Sequence, residues 1–157
     1  MESSQVEYAG FWIRVWASII DTIILGVLIY PVLTAIYGSQ YWDSTDFVQG
    51  PADFLISWVL PAIAVVWFWL ARQATPGKMA VGVRIVDANT GNNPGATQLI
   101  VRYLGYFVSA IPLCLGLFWV GFDARKQGWH DKLARTVVVR KKRGKPGTVK
   151  PDEQWPE

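Results

Sequence analysis

The chain has 157 residues, of which 52% are hydrophobic, with nine tryptophans and a formal net charge of +3. This composition and a mean hydropathy of +0.23 are typical of a membrane protein, and the single cysteine, Cys114, excludes an intrachain disulfide. The basic residues lie where they would set membrane topology, so the positive charge does not indicate nucleic-acid binding.

Two apolar segments, 11–37 and 54–70, approach the roughly 20 residues that a helix needs to cross a hydrocarbon core about 30 Å thick. The loop between them contains no lysine or arginine and has three aspartates: Asp43, Asp46 and Asp53. Because short basic loops stay in the cytoplasm, we predict that this loop lies outside the cell. Residues 71–98, the N-terminus and the C-terminus are then predicted to be cytoplasmic.

A third apolar segment, 99–122, precedes a strongly basic stretch that one full crossing would export. Residues 81–87 and 136–141 have the pattern of strands, and two strands can pair only if they lie on the same side of the membrane. Pro112 lies at the centre of the apolar segment and would break a helix there. We therefore favour a re-entrant helical hairpin. The alternative is a proline-kinked third crossing, which the length of the segment also allows.

The predicted fold class is an α-helical integral membrane protein. It has two transmembrane helices, the third apolar segment and a small cytoplasmic two-stranded β element. Residues 1–143 form this membrane domain. Residues 144–157 are rich in proline and charge without any hydrophobic period, which predicts a disordered cytoplasmic tail.

Two charges lie within the first apolar segment. Arg14 and Asp21 are seven residues apart, on one helix face but about 10.5 Å apart along the axis, too far for a direct ion pair. Asp21 would lie near the bilayer midplane, where an ionised carboxylate costs about 2.5–3.5 kcal/mol, so it should face protein. Its nearest candidate partner is Arg102, the only charge in the third segment. Either these two form a buried structural pair, or Asp21 binds a cation or proton.

Residues 128–136 are predicted to form a short amphipathic helix at the membrane surface. Asp131 could cap this helix or pair with a basic residue such as Arg84 or Lys78. His130 is expected to be a surface imidazole, since no second histidine or cysteine lies at metal-ligand spacing. Residues 74–82 lack the pattern of a phosphate-binding loop and are interpreted as a turn. The basic side chains expected to contact lipid headgroups are Lys78, Arg84, Arg125, Lys126 and Lys132.

Three stretches together resemble the RDD family of small bacterial membrane proteins: RVWASIID, TPGKMAVGVRIVDANTG and WHDKLARTVVVRK. The resemblance spans roughly residues 8–141. The family is named for one arginine and two aspartates, which correspond here to Arg14, Asp21 and Asp131. The resemblance implies a location in the bacterial inner membrane, and transport of an unidentified ligand is the general suggestion for the family.

Two functions remain open at this point. In the first, the protein transports a cation, a proton or another small ligand as a homo-oligomer, because two spanning helices and a hairpin leave little room for a pathway. In the second, it is a non-transporting scaffold or regulator that engages a partner protein or anionic lipid of the bilayer. No catalytic set or metal motif is evident, so we expect no enzymatic activity, no cofactor and no metal.

Overall fold

Two long helices dominate the structure, a computed structural model that describes residues 6–141. The first, α1, is Phe11–Tyr37; the second, Pro51–Arg72, consists of α2 (Pro51–Phe54), a π-helical stretch (Leu55–Val59) and α3 (Leu60–Arg72). Within residues 6–141 these two helices are long and apolar enough to cross a membrane. Large apolar side chains on α1 are exposed, as on a helix whose outer face contacts lipid. The two predicted spanning segments are therefore confirmed as helices.

The other elements are short and follow in chain order. They are the strand β1 (Val6–Tyr8), the 3₁₀ helix Ser39–Asp43, α4 (Pro76–Ala80), β2 (Val83–Asp87), α5 (Ala96–Ala110), α6 (Leu115–Phe118) with the 3₁₀ turn Trp119–Gly121, α7 (Trp129–Ala134) and β3 (Thr136–Lys141).

The three strands form one antiparallel sheet in the order β1-β3-β2. The predicted pairing of β2 with β3 is present, with Val83 opposite Arg140 and Asp87 opposite Thr136. The prediction of only two strands is wrong, because β1 pairs with the other side of β3. β1 has three residues, too few for its alternation to be distinguished from that of a loop.

The third apolar segment bends sharply. Helices Ala96–Ala110 and Leu115–Gly121 meet at 113°, and we refer to them together as the bent segment. The break lies around Pro112, as predicted, and the next two residues, Leu113 and Cys114, have positive φ angles of 51° and 60°. The two halves are unequal in length: α5, before the break, has 15 residues, and the helix Leu115–Gly121 after it is shorter.

The interior lies between the sheet and the inner ends of the helices. One cluster of buried apolar side chains joins the residue after β1 to α3, β2, α5 and β3. Its members are Ala9, Trp69, Val83, Ile85, Leu99 and Val138. Helix α5 crosses α7 so closely that a Cβ on Gly105 would lie 2.9 Å from the Cα of His130. This close packing buries the polar side chains of His130 and Asp131 on α7. The predicted tail, residues 144–157, lies outside the described residues.

Candidate functional site

Asp131 lies at the centre of a buried charge cluster. Its Oδ2 accepts a hydrogen bond from the Gly128 amide at 2.9 Å, which caps α7, one of the two roles expected for it. The same oxygen is 2.5 Å from Nη1 of Arg14, and the other oxygen accepts from Nη1 of Arg102. The Asp131 and Arg102 side chains are completely buried. We call Arg14, Arg102 and Asp131 the Asp131 cluster; it joins α1, α5 and α7.

Burial by itself would raise the pKa of Asp131, but the adjacent Arg102 and Arg14 outweigh that effect and hold this pKa well below its usual range. The carboxylate is therefore a permanent anion at neutral pH. Its charge is shared by two arginines, so the cluster has one more positive than negative charge. A buried group of this kind is stable only while every member keeps its partners.

Each arginine also binds outside the cluster. Arg14 donates from Nε to the Ala9 carbonyl at 3.1 Å and from Nη2 to the Lys126 carbonyl. Arg102 donates to the Thr136 hydroxyl at 2.7 Å, and its guanidinium lies 5.4 Å from the centre of the Trp69 ring. The two side chains thereby connect α1 and α5 to the residue after β1, to the loop before α7 and to β3, so the geometry indicates a structural role for both.

Asp21 is not part of this cluster. One carboxylate oxygen accepts from the Thr75 hydroxyl at 2.5 Å and the other from the Gly77 amide at 2.6 Å. Of the two alternatives for Asp21, the structural pair with Arg102 is therefore wrong, because α4 lies against α1 and donors at its start bind the carboxylate instead. Gly77 permits this approach, since a Cβ there would lie 2.1 Å from the Ala17 carbonyl oxygen.

His130 is buried, with 3% of its surface exposed, so the expected surface imidazole is wrong. Its ring stacks on Tyr106 with the ring centres 4.0 Å apart, and its amide donates to the Ser109 hydroxyl at 3.1 Å. The Ser109 hydroxyl in turn donates to the Gly105 carbonyl, which indicates a packing role for the serine. Burial lowers the pKa of His130 to about 3, with Arg102 and Arg14 adding to the shift. The imidazole is therefore neutral at physiological pH.

Lys78 was expected at the lipid headgroups but lies in the interior, 6% exposed, because α4 packs beneath α1. Its ammonium is 5.1 Å from the centre of the Trp69 ring and makes no hydrogen bond to any residue between 6 and 141. Burial lowers the pKa of Lys78, and Arg102 and Arg14 lower it further. Lys78 is thus a buried amine without a carboxylate partner in the part of the chain that the structure describes, and an anion bound beside it would favour its charged form.

The other four basic residues expected at headgroups occupy different settings. Arg125 is exposed, and Lys126 is half-buried, with its ammonium 3.1 Å from the Gly121 carbonyl. Lys132 is 44% exposed and pairs with Asp123 at 2.5 Å. Arg84 is half-buried on β2. Contact of these side chains with headgroups remains a prediction.

A cavity of about 500 Å³ lies between α1 and the bent segment. One end is polar and contains Arg14, Lys78, Arg102, Tyr106 and His130. The rest is lined mainly by apolar side chains of α1 and α6, among them Val15, Ile19, Ile23, Leu117 and Phe118. None of the described residues that line it is acidic. We call the three basic side chains, Arg14, Lys78 and Arg102, the cationic end of the cavity.

The sequence correctly indicated the charged residues of the Asp131 cluster, but it did not predict all of their partners. Arg14, Arg102 and Asp131 come together, whereas Asp21 binds a separate segment. The partners Thr75 and Gly77 were missed, although a threonine followed by Pro-Gly is a helix-start pattern whose free amides attract a carboxylate. Tyr106 lies four residues after Arg102 on α5, a spacing that brings two helical side chains together and that could have indicated their contact. No sequence signal indicated the contact with Thr136, because it depends on how α5 packs against β3.

Comparison with known proteins gives a consistent result. A model of the RDD family matches residues 8–135. The uncharacterized protein RP437 of Rickettsia prowazekii is 41% identical over 46% of this chain and 40% of its own length. The proline-rich antigen of Mycobacterium leprae is 28% identical over 82% of this chain and 60% of its own length. The uncharacterized membrane protein YteJ of Bacillus subtilis is 26% identical over 86% of this chain and 82% of its own length. This chain therefore spans roughly half the length of the first two relatives. No solved structure matches it.

Proposed function

Because this chain belongs to the RDD family and is a membrane protein, we propose that it binds a small, negatively charged ligand in the cavity between α1 and the bent segment. In this proposal the charges for which the family is named do not carry a cation. Arg14 and Asp131 build one end of the site, and Asp21 fixes α4, which carries Lys78 into it.

The observation that carries the proposal is the charge at the cationic end. Arg14 and Arg102 meet there, the one carboxylate beside them, that of Asp131, is already shared by both, and Lys78 adds an amine that a bound anion would hold in its charged form. Uncompensated positive charge in the interior is costly, and an anion in the cavity would remove that cost. A cation would be repelled from the same place.

A binding assay on the purified, delipidated protein tests this function. Two anionic probes, inorganic phosphate and 1-oleoyl lysophosphatidic acid, are compared with the uncharged monoolein, and the melting temperature is followed. A ligand that binds the folded state raises that temperature by mass action. We expect at least one anionic probe to do so in wild type and to lose its effect in Lys78→Met. If neither probe stabilises the wild-type protein, the proposal is refuted.

Arg125→Met is the matched control, because it also removes one positive charge but from an exposed side chain. Lys78→Met keeps a side chain of similar length against Trp69 and breaks no described hydrogen bond. A loss of stabilisation in both variants would indicate attraction to net charge, not binding in the cavity.

Proton transport by a homo-oligomer is the second candidate. The observation that favours it is that Asp21, within a spanning helix, makes no ion pair with any residue in 6–141 and binds only a hydroxyl and an amide. Such a carboxylate could exchange a proton, and a small subunit would need further copies to enclose a path. Asp21→Asn should then fold normally but abolish sodium-driven proton flux in proteoliposomes; flux that persists in the variant contradicts this candidate.

For the membrane arrangement, we propose that the sheet lies on the cytoplasmic side and the bent segment is re-entrant. The loop at residues 39–50 has acidic but no basic side chains, which supports a position outside the cell. The strands on either side of the bent segment pair with each other, which supports its return to the side from which it entered.

A further inference from the structure

The cavity has a second property, which the charge at its end does not explain. Its charged residues lie at one end, and from there α1 lines it as far as Ile23 with mainly apolar side chains and two small hydroxyl side chains, those of Ser18 and Thr22. Arg14 and Ile23 are nine residues apart, about 13 Å along a helix. A small hydrated anion such as phosphate would occupy the cationic end and leave this long apolar wall uncovered.

The apolar part of the cavity opens sideways. Ile23 is 60% exposed and Phe118 is 53% exposed, although both line it. Since α1 is a spanning helix, exposed apolar side chains at this depth face the hydrocarbon of the bilayer. The opening therefore faces lipid, whereas Arg102 and Lys78 at the other end are buried.

We propose that the ligand of this cavity is a lipid carrying a phosphate monoester, which enters from the bilayer, places its phosphate at the cationic end and lays one acyl chain along α1. This rests on the proposed function and names its ligand class. The volume of about 500 Å³ is within the usual range for sites that enclose a small organic ligand.

The charge balance selects a phosphate monoester among anionic headgroups. Arg14 and Arg102 exceed Asp131 by one positive charge, and a bound anion would favour the charged form of Lys78, which brings the excess to two. A phosphate monoester carries about −1.5 to −2 at neutral pH and has several acceptor oxygens, whereas a carboxylate carries one charge. Lys78 is the residue that would bind the headgroup phosphate. Its side-chain nitrogen lines the cavity and has no hydrogen-bond acceptor among the described residues.

The experiment is native mass spectrometry of the full chain released from detergent, titrated with 1-oleoyl lysophosphatidic acid, oleate, monoolein and inorganic phosphate. We expect stoichiometric binding of lysophosphatidic acid, weaker binding of oleate and little of monoolein. Lys78→Met should weaken lysophosphatidic acid binding about tenfold or more, the effect of losing one charge-assisted hydrogen bond, while Arg125→Met should not.

A second variant tests the apolar wall. Ser18 lines the cavity with an exposed side chain that makes no described hydrogen bond, so Ser18→Phe fills the space without removing a contact. We expect this variant to melt like wild type and to bind the lipid at least tenfold more weakly. Unchanged lipid affinity in Ser18→Phe would overturn the inference, because the chain would then lie elsewhere.

The remaining outcomes separate the inference from the proposed function. If inorganic phosphate binds as tightly as the lipid and depends on Lys78, the site takes a soluble anion, so the inference fails and the proposed function stands. If no anion binds, both fail. If Arg125→Met weakens lipid binding as much as Lys78→Met does, the lipid adheres to surface charge, which also overturns the inference.

Discussion

Replacing Asp131 with asparagine tests the structural role of the Asp131 cluster. The amide has nearly the same shape as the carboxylate, so Asp131→Asn creates no cavity and changes mainly the charge. It would leave Arg14 and Arg102 facing each other across a neutral group. Arg102 is fully buried and cannot turn toward water, so its charge would lose the anion that compensates it.

The expected cost follows from the contacts that are lost. Asp131 accepts hydrogen bonds from both guanidinium groups, and a hydrogen bond to a charged group contributes about 1.5–3 kcal/mol. Removing one member of a buried ion pair costs about 3–5 kcal/mol in general. We therefore expect Asp131→Asn to lower the free energy of unfolding by about 3–5 kcal/mol, a large fraction of a typical total.

The matched control is Asp123→Asn. This residue pairs with Lys132 at the surface, where both side chains contact solvent, so its loss should cost at most about 1 kcal/mol. Unfolding of both variants is measured in the same detergent by near-ultraviolet circular dichroism, which reports on the many aromatic side chains. Equal destabilisation of the two variants would refute the structural role of the Asp131 cluster.

Three further results are expected. Because the pKa of His130 is depressed to about 3 in the folded state, acid favours the unfolded chain below its ordinary value of about 6.5, so stability should fall by about 2 kcal/mol from pH 7 to 5; a flat profile in unfolding experiments contradicts this. Gly77→Ala should lower the free energy of unfolding by about 1–3 kcal/mol, because the new methyl group would clash with α1. Gly10→Ala, with open space around the residue, should leave the thermal unfolding of the protein unchanged. In a cysteine-free background, Ser44→Cys should react with an impermeant maleimide on intact cells and Thr90→Cys only after lysis; the reverse pattern would invert the proposed orientation.

The helices were predictable from the sequence because each long apolar run leaves few alternatives. The runs at 11–37 and 54–70 both became helices, and Pro112 marked the break in the third. Pairing of β2 with β3 was also predictable, since no other strand of comparable length competes. β1 was not, because its three residues become a strand only when the edge of β3 is available.

The charged partners could not be predicted because they depend on how short elements pack in three dimensions. Arg102 is the candidate partner for Asp21 because it is the only charge in the third apolar segment, but the start of α4 supplies two uncharged donors instead. The sequence predicts a surface position for His130 because no metal-ligand pattern surrounds it, and a headgroup position for Lys78 because its segment has the pattern of a turn. Gly105 and Gly77 let the segments around both residues approach α5 and α1 closely enough to bury them.

The position of β3 in the middle of the sheet has a consequence for biosynthesis. β1 and β2 are not neighbours in the sheet, and within residues 6–141 the strand partner of each is β3, with Val6 opposite Lys141 at one edge. During translation, α1 and the following helices must therefore enter the membrane before any strand can pair. The last strand then joins the two earlier ones by a long-range closure, a step that is entropically costly and slow. Until β3 has emerged from the ribosome, the edges of both earlier strands are open to chaperones and to mispairing.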